Sequence, residues 1–208
     1  VIEGVDKLTG TEFTIGPDRN EIVTLAIAAI VTKGQVLIKG AENVDLSPFI
    51  QRFEIAGGGV ESQKEGIRFF YKGDLVSVNV ETSTYPGFMT DWQGPWAILM
   101  TQAKGTAIIH ETVYENRFGY VAELKKMGAN IILFNPDIKN PEKIYNFNLS
   151  DNSPSYFHAI KIKGPTYLHN AVVEISDLRA GATLVLAALC AAGESIIFGV
   201  EHLDRGYE

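Results

Sequence analysis

Residues 18–38 read DRNEIVTLAIAAIVTKGQVLI, which is an acidic residue, a largely apolar run, a glycine and a β-branched stretch. The pattern returns as DWQGPWAILMTQAKGTAII at 91–109 and as DLRAGATLVLAALCAAGESII at 177–197. A leading Asp is typical of a helix N-cap, and a trailing Gly is typical of the left-handed residue that ends a helix. Each copy therefore predicts a capped helix followed by a strand. The predicted caps are Asp18, Asp91 and either Ser176 or Asp177, and the predicted left-handed residues are Gly34, Gly105 and Gly193.

A second glycine spacing extends the repeat. Gly57 lies 23 residues after Gly34, and Gly128 lies 23 residues after Gly105. Each closes a second predicted helix, over 47–56 and 118–127, that a strand follows. We therefore predict an α/β fold of three repeated βαβαββ-type units in one domain, over about 11–80, 81–175 and 176–208. The same count from Gly193 passes residue 208, so we expect the third unit to be incomplete.

Hydrophobic patterning predicts how the units are layered. The runs 24–31 and 182–192 are apolar around almost the whole helix circumference, which predicts central helices buried on all sides by outer sheets. Alternation of apolar and polar residues predicts half-exposed strands over 75–80, 160–163 and 172–175, the last two paired across a turn at Gly164-Pro165. The segment 135–156 is rich in turn formers and is predicted to be a long loop or insertion.

Composition excludes several classes of function. The 208 residues carry a net charge of −7, which gives no cationic field for nucleic acid. No apolar run is long enough to span a bilayer, and the start has no basic leader, so we expect no membrane partner and a cytoplasmic location. The single Cys190 and the four His show no metal-ligand spacing, so we predict no metal site, with Cys190 as a small core residue.

Two arginines occupy the same corner of their units. Arg117 and Arg205 each lie 12 residues after a helix-ending Gly, and Arg recognises phosphate and carboxylate through a planar fork. If the units are related by a pseudo-threefold axis, these corners form an anion-binding rim. The alternative is ordinary surface ion pairs with Glu115, Asp204 or Glu208.

Asp91 has two interpretations. A carboxylate at a helix N-terminus is most often a cap. It can instead be a general base if it is exposed beside a substrate hydroxyl.

Several strings resemble the enolpyruvyl transferases, in the order in which that family has them and over nearly the whole chain. They are 17–19 PDR, 85–93 YPGFMTDWQ, 111–118 ETVYENRF, 127–129 MGA, 176–180 SDLRA and 202–208 HLDRGYE. The resemblance implies an inverse α/β barrel, with helices inside and sheets outside, as one of two domains that close around the substrates.

The resemblance also implies a reaction and roles for individual residues. The reaction is transfer of an enolpyruvyl group from phosphoenolpyruvate to the 3-hydroxyl of UDP-N-acetylglucosamine, in peptidoglycan synthesis and without a cofactor. Asp91 and Arg205 match catalytic positions, on the sugar hydroxyl and on phosphoenolpyruvate respectively. Substrate-binding positions are matched by Val113, which lines the nucleotide site, and by Arg117, Asp177 and Arg179.

Three expectations concern the chain taken alone. A second enolpyruvyl transferase domain has no counterpart in the sequence, so we expect the chain to be one half of an enzyme and inactive alone. An incomplete third unit would expose apolar surface, so we expect self-association. The alternative function is a non-catalytic, repeat-built binding or scaffold domain.

Overall fold

A computed structural model describes residues 3–207, except for the side chain of Arg205. The helices are α1 (Arg19–Val31), α2 (Ser47–Ile55), α3 (Gln93–Gln102), α4 (Val121–Lys126), α5 (Pro141–Ile144) and α6 (Leu178–Cys190). The strands are β1 (Gln35–Lys39), β2 (Gly58–Gln63), β3 (Gly66–Tyr71), β4 (Val80–Glu81), β5 (Gly105–His110), β6 (Ile131–Phe134), β7 (Ala159–Gly164), β8 (Val172–Glu174) and β9 (Ile196–Phe198). Short 3-10 helices lie at Ala41–Asn43, Thr90–Trp92, Leu149–Asp151 and Val200–Arg205.

The strands form three sheets around three mutually packed helices. The sheet orders are β1-β3-β2, β4-β5-β7-β6 and β8-β9, and α1, α3 and α6 all contact one another. The repeat is visible in the pairing, because β4 pairs in parallel with β5 across α3, and β8 pairs in parallel with β9 across α6. The predicted α/β class with central helices and outer sheets is confirmed. The unit boundaries stay a prediction. Strand β8, which the prediction places in the second unit, pairs with β9 in the third sheet.

The central helices differ in how completely they are buried. Residues 93–101 of α3 are all buried, and Trp92 and Trp96 pack their rings edge-on against Phe49 of α2. Burial on all sides is wrong for α1 and α6, because Leu25 is 47% exposed and Leu189 is 55% exposed. These two side chains line an apolar groove of about 200 Å³ between the helices.

Helix ends follow the predicted chemistry only in part. Gly105 and Gly193 have a positive φ, but each lies two residues past the extended C-cap of α3 or α6 and does not itself end the helix. Asp18 accepts from the Asn20 N–H, and Asp177 accepts from the N–H groups of Arg179 and Ala180, so both are caps. Asp91 is not a cap, because α3 begins after a 3-10 turn and the carboxylate is engaged by guanidinium groups instead.

A further exception is at the end of α1. Lys33, at φ 57°, takes the left-handed conformation that the sequence predicts for Gly34. Because the chain turns one residue earlier, the Gly34 N–H bonds back to the Ala29 carbonyl at 2.7 Å.

Two strand predictions are corrected. Within 75–80 only Val80 belongs to a strand. Val76 forms an isolated parallel bridge with Lys104, but no ladder follows it, and the Val78 N–H donates to Met100 Sδ. The strands β7 and β8 both exist but do not pair with each other. Instead, β7 lies between β5 and β6, and β8 pairs with β9.

The predicted insertion connects β6 to β7. It contains α5 and the 3-10 helix Leu149–Asp151 and is otherwise irregular. Asn135 fixes its two ends, because its Nδ2 donates to the Tyr156 carbonyl and its Oδ1 accepts from the His158 N–H. The Asn146 N–H donates to the Thr112 carbonyl at 2.7 Å, which docks the insertion beside the loop after β5.

Candidate active site

A cavity of about 360 Å³ opens where α3 and α6 begin. Its walls come from the turn before α3, the loop after β5 and the first turns of α6. Among the lining side chains are Thr90, Asp91, Arg117, Tyr120, Asp177 and Arg179. The N-terminal ends of two helices thus face one cavity, and their dipoles favour negative charge there.

Asp91 is held between two arginines. Arg117 Nη2 donates to Asp91 Oδ1 at 2.5 Å, and Arg179 Nε donates to the same oxygen. The side chains of Asp91 and Arg117 are 19% and 17% exposed, whereas that of Arg179 is 48% exposed. The pair with Arg117 is therefore sheltered, while Arg179 closes the array from the open side.

The guanidinium groups of Arg117 and Arg179 are stabilised by different neighbours. Arg117 lies over the ring of Tyr114, with Cζ 4.4 Å from the ring centroid. Burial of Arg179 works against its charge, but its hydrogen bond to Asp91 and the charges of Asp91 and Asp177 raise its pKa. The cavity thus places the guanidinium groups of Arg117 and Arg179 beside the side chains of Asp91 and Asp177.

A buried polar pair supports the cavity floor. Tyr120 Oη donates to Gln93 Oε1 at 2.7 Å, and Gln93 Nε2 donates to the Arg117 carbonyl. Burial, together with the charge of Glu111, raises the pKa of Tyr120 well above its ordinary value, so the phenol stays neutral. Sequence reasoning missed these residues. The signal available was one Gln and one Tyr inside apolar helical stretches.

The structure brings four predicted site residues together and leaves two apart. Asp91, Arg117, Asp177 and Arg179 all line the cavity. Val113 does not line it, and its N–H donates to Glu111 instead. The side chain of Arg205 lies outside the described residues, although its backbone ends the 3-10 helix Val200–Arg205.

The surface ion pairs considered for Arg117 are wrong. Among the residues that the structure describes, its salt-bridge partner is Asp91, which lies 26 positions away in the sequence, rather than Glu115 or Asp204.

The remaining reactive groups lie apart from the cavity. Cys190 ends α6, and burial raises the pKa of its thiol to about 11, which does not favour a nucleophile. In residues 3–207, as far as they are described, no group of three His, Cys, Asp or Glu could hold a metal ion. No described helix is long and apolar enough to cross a bilayer.

Residues 1–208 match the family of EPSP synthase, 3-phosphoshikimate 1-carboxyvinyltransferase. The chain belongs to this carboxyvinyltransferase family. The resemblance inferred from the motifs is confirmed more narrowly by curated relatives named UDP-N-acetylglucosamine 1-carboxyvinyltransferase. The protein of Protochlamydia amoebophila is 42% identical over 208 residues, that of Desulfatibacillum aliphaticivorans is 42% identical over 207, and that of Staphylococcus epidermidis is 39% identical over 206.

Each of these relatives is much longer than the chain. The alignments cover 99–100% of the chain but only 43–44% of the carboxyvinyltransferase relatives. Among solved structures, the enolpyruvyl transferase NikO from Streptomyces tendae matches with a TM-score of 0.76 and 25% identity, over 94% of this chain and 41% of that one. EPSP synthase from Acinetobacter baumannii shares the fold with a TM-score of 0.58 and 16% identity, over 89% of this chain and 40% of that one.

Proposed function

We propose that the chain supplies one half of the active site that transfers an enolpyruvyl group from phosphoenolpyruvate to the 3-hydroxyl of UDP-N-acetylglucosamine, a step of peptidoglycan synthesis. The observation that carries this proposal is the Asp91 carboxylate set between Arg117 and Arg179 in an open cavity. A base beside two anion-binding groups is the combination that the reaction needs. The names of the relatives support the choice of sugar nucleotide.

In this proposal Asp91 takes the proton of the attacking hydroxyl. The hydroxyl oxygen forms a bond to C2 of phosphoenolpyruvate while C3 takes up a proton, which gives a tetrahedral intermediate. Loss of a proton from C3 and cleavage of the C2–O bond to the phosphate then release inorganic phosphate and leave the enol ether on the sugar. No redox step is involved.

The positive charge at the cavity is placed to stabilise the anionic groups that take part in these reaction steps. Arg117 and Arg179 are placed to neutralise carboxylate or phosphate oxygens, with help from the N-termini of α3 and α6. Arg205 is assigned to the phosphoenolpyruvate anion, and Val113 to the nucleotide site, by their matching positions in the family motifs. Asp177 caps α6 and thereby sets the first turn that carries Arg179.

We propose that this half of the active site binds substrate but does not catalyse the reaction on its own. Arg179 is half exposed, so the array is open to water on one side. Catalysis of this kind needs both reactants held together with water excluded. We therefore propose that a second domain closes over this cavity in the complete enzyme.

Ligand titration of the purified chain tests the proposal. Backbone NMR signals of the lining residues should shift on addition of UDP-N-acetylglucosamine or phosphoenolpyruvate, and 3-phosphoshikimate should give smaller shifts at the same concentration. Phosphate release with both substrates should stay at background. Larger shifts with 3-phosphoshikimate would contradict the assigned substrate, and binding away from the cavity would favour a scaffold domain instead.

A further inference from the structure

Glu111 is a carboxylate buried without any exposed surface. It follows β5 directly, and its relative exposure is 0%. Removing a carboxylate from water is costly unless hydrogen bonds replace the lost hydration, and an apolar side chain often fills such a place with equal or better stability. Packing alone therefore does not account for a carboxylate at this position.

The hydrogen bonds of Glu111 join two segments of the cavity wall. Thr90 Oγ1 donates to Oε2 at 2.8 Å, whereas the N–H groups of Val113 and Tyr114 donate to Oε1 at 2.8 Å and 3.0 Å. Thr90 is the residue before Asp91, and Tyr114 carries the ring that lies under the Arg117 guanidinium. The Glu111 carboxylate thus links the segment that carries Asp91 to the segment that carries Arg117.

We propose that Glu111 is a positioning residue for the reaction, which holds Asp91 and Arg117 in register by bonding Thr90 with one oxygen and the Val113–Tyr114 turn with the other. This inference rests on the proposed function of the Asp91 site. Glu111 itself does not line the cavity, so it acts through its neighbours and not on substrate.

The Glu111→Gln variant separates positioning from a structural role. Gln keeps one acceptor oxygen for the two backbone N–H groups but turns an amide donor toward Thr90, whose hydroxyl then loses its acceptor. Because burial raises the pKa of Glu111, the folded state disfavours its charge, and the neutral variant should be as stable as the wild type or more stable. A structural carboxylate would instead leave the variant less stable.

The control is a partly buried carboxylate outside the cavity. Glu123 on α4 is 17% exposed, pairs with Lys126 and accepts from the Glu174 N–H. It does not line the cavity, so Glu123→Gln should leave anion binding unchanged.

The experiment uses the full 208-residue chain and two readouts. The first is the dissociation constant for inorganic phosphate, which Glu111→Gln should raise about tenfold, the loss expected for one hydrogen bond to a charged group. The second needs no ligand and is the NMR signal of the Arg179 Nε–H, which reports its bond to Asp91 and should shift in Glu111→Gln but not in Glu123→Gln.

The outcomes are distinct. An unchanged Arg179 signal together with unchanged phosphate affinity overturns the proposal for Glu111 and leaves the proposed function standing. A melting temperature lowered by more than about 5 °C with unchanged affinity also overturns it, in favour of a structural role. If Glu111→Gln does not fold, Thr90→Val removes one donor and should give the same signal shift. Failure of the wild type to bind either substrate would contradict the proposed function while the ligand-free signal still tests Glu111.

Discussion

Arg117 and Arg179 donate to the same oxygen, Oδ1 of Asp91, although one lies in the loop after β5 and the other in the first turn of α6. The carboxylate therefore occupies the place where an anionic ligand would meet both guanidinium groups. Under the proposed function, a substrate anion would compete with Asp91 for them, and its arrival would release the carboxylate toward a hydroxyl. Anion binding and exposure of the proposed base would then be coupled by this geometry.

Asp91→Asn should consequently bind inorganic phosphate more tightly than the wild type. The amide keeps the shape of the carboxylate but removes the negative charge that competes for the arginines. We expect the dissociation constant measured by calorimetry to fall roughly tenfold, the size of one charge-assisted hydrogen bond. Weaker binding by the variant would show that Asp91 does not compete with the anion.

Arg117→Lys should weaken phosphate binding by about tenfold while the chain stays folded. Lysine keeps the charge but loses the planar fork and the stacking on Tyr114, whose ring centroid is 4.4 Å from the guanidinium carbon. Arg52, exposed on α2, provides the matched control, and Arg52→Lys should leave affinity unchanged. Equal affinities in the two variants would remove Arg117 from the anion site.

The repeated helix–glycine–strand pattern and its helix caps were predictable from the sequence, because they depend on interactions between residues that are close in the chain. Helix caps at Asp18 and Asp177 and the helix–glycine–strand order follow from short-range hydrogen bonding and backbone freedom. The long-range pairing of Asp91 with two arginines was not predictable from spacing. Cap chemistry favours a carboxylate at a helix start, and only the packing of α3 against α6 shows that charged partners outweigh it.

The burial of the central helices could not be predicted from local sequence rules either. An apolar circumference predicts a helix buried on all sides, yet α1 and α6 expose Leu25 and Leu189, because no described element covers the groove between them. The strand predicted over 75–80 fails for a related reason. Its pairing is limited to an isolated bridge between Val76 and Lys104, and the Val78 N–H donates to the Met100 sulfur, which no periodicity can foresee.

Cys190 should react slowly with thiol reagents in the native chain. Burial raises the pKa of its thiol to about 11, so the thiolate is scarce near neutral pH, and the thiolate is the reactive form. The rate with a disulfide reagent at pH 7.5 should rise on unfolding in urea by about 100-fold, since the thiolate fraction changes tenfold for each pKa unit. Equal rates in native and unfolded protein would contradict the burial of this group.

The stability of Glu111→Gln relative to the wild type should depend on pH. Since the folded-state pKa of Glu111 is raised, its protonated form favours folding, and that advantage is lost as pH rises through the folded-state pKa. The variant should therefore gain melting temperature over the wild type between pH 4 and pH 7.5. A difference that stays constant with pH would show that Glu111 titrates alike in both states.

The apolar groove between α1 and α6 should drive self-association of the chain. Leu25 and Leu189 are 47% and 55% exposed, and contiguous exposed apolar surface of this kind is typical of contact sites. Sedimentation at increasing concentration should show dimers or larger species, and Leu25→Glu or Leu189→Glu should return the chain to monomers by adding a charge that a contact would bury. Ile132 on β6 is 58% exposed and lies outside the groove, so Ile132→Glu controls for a general gain in charge and should leave association intact. A wild-type chain that stays monomeric at the highest concentration, or an Ile132→Glu variant that dissociates as fully as Leu189→Glu, would rule out the groove as the contact.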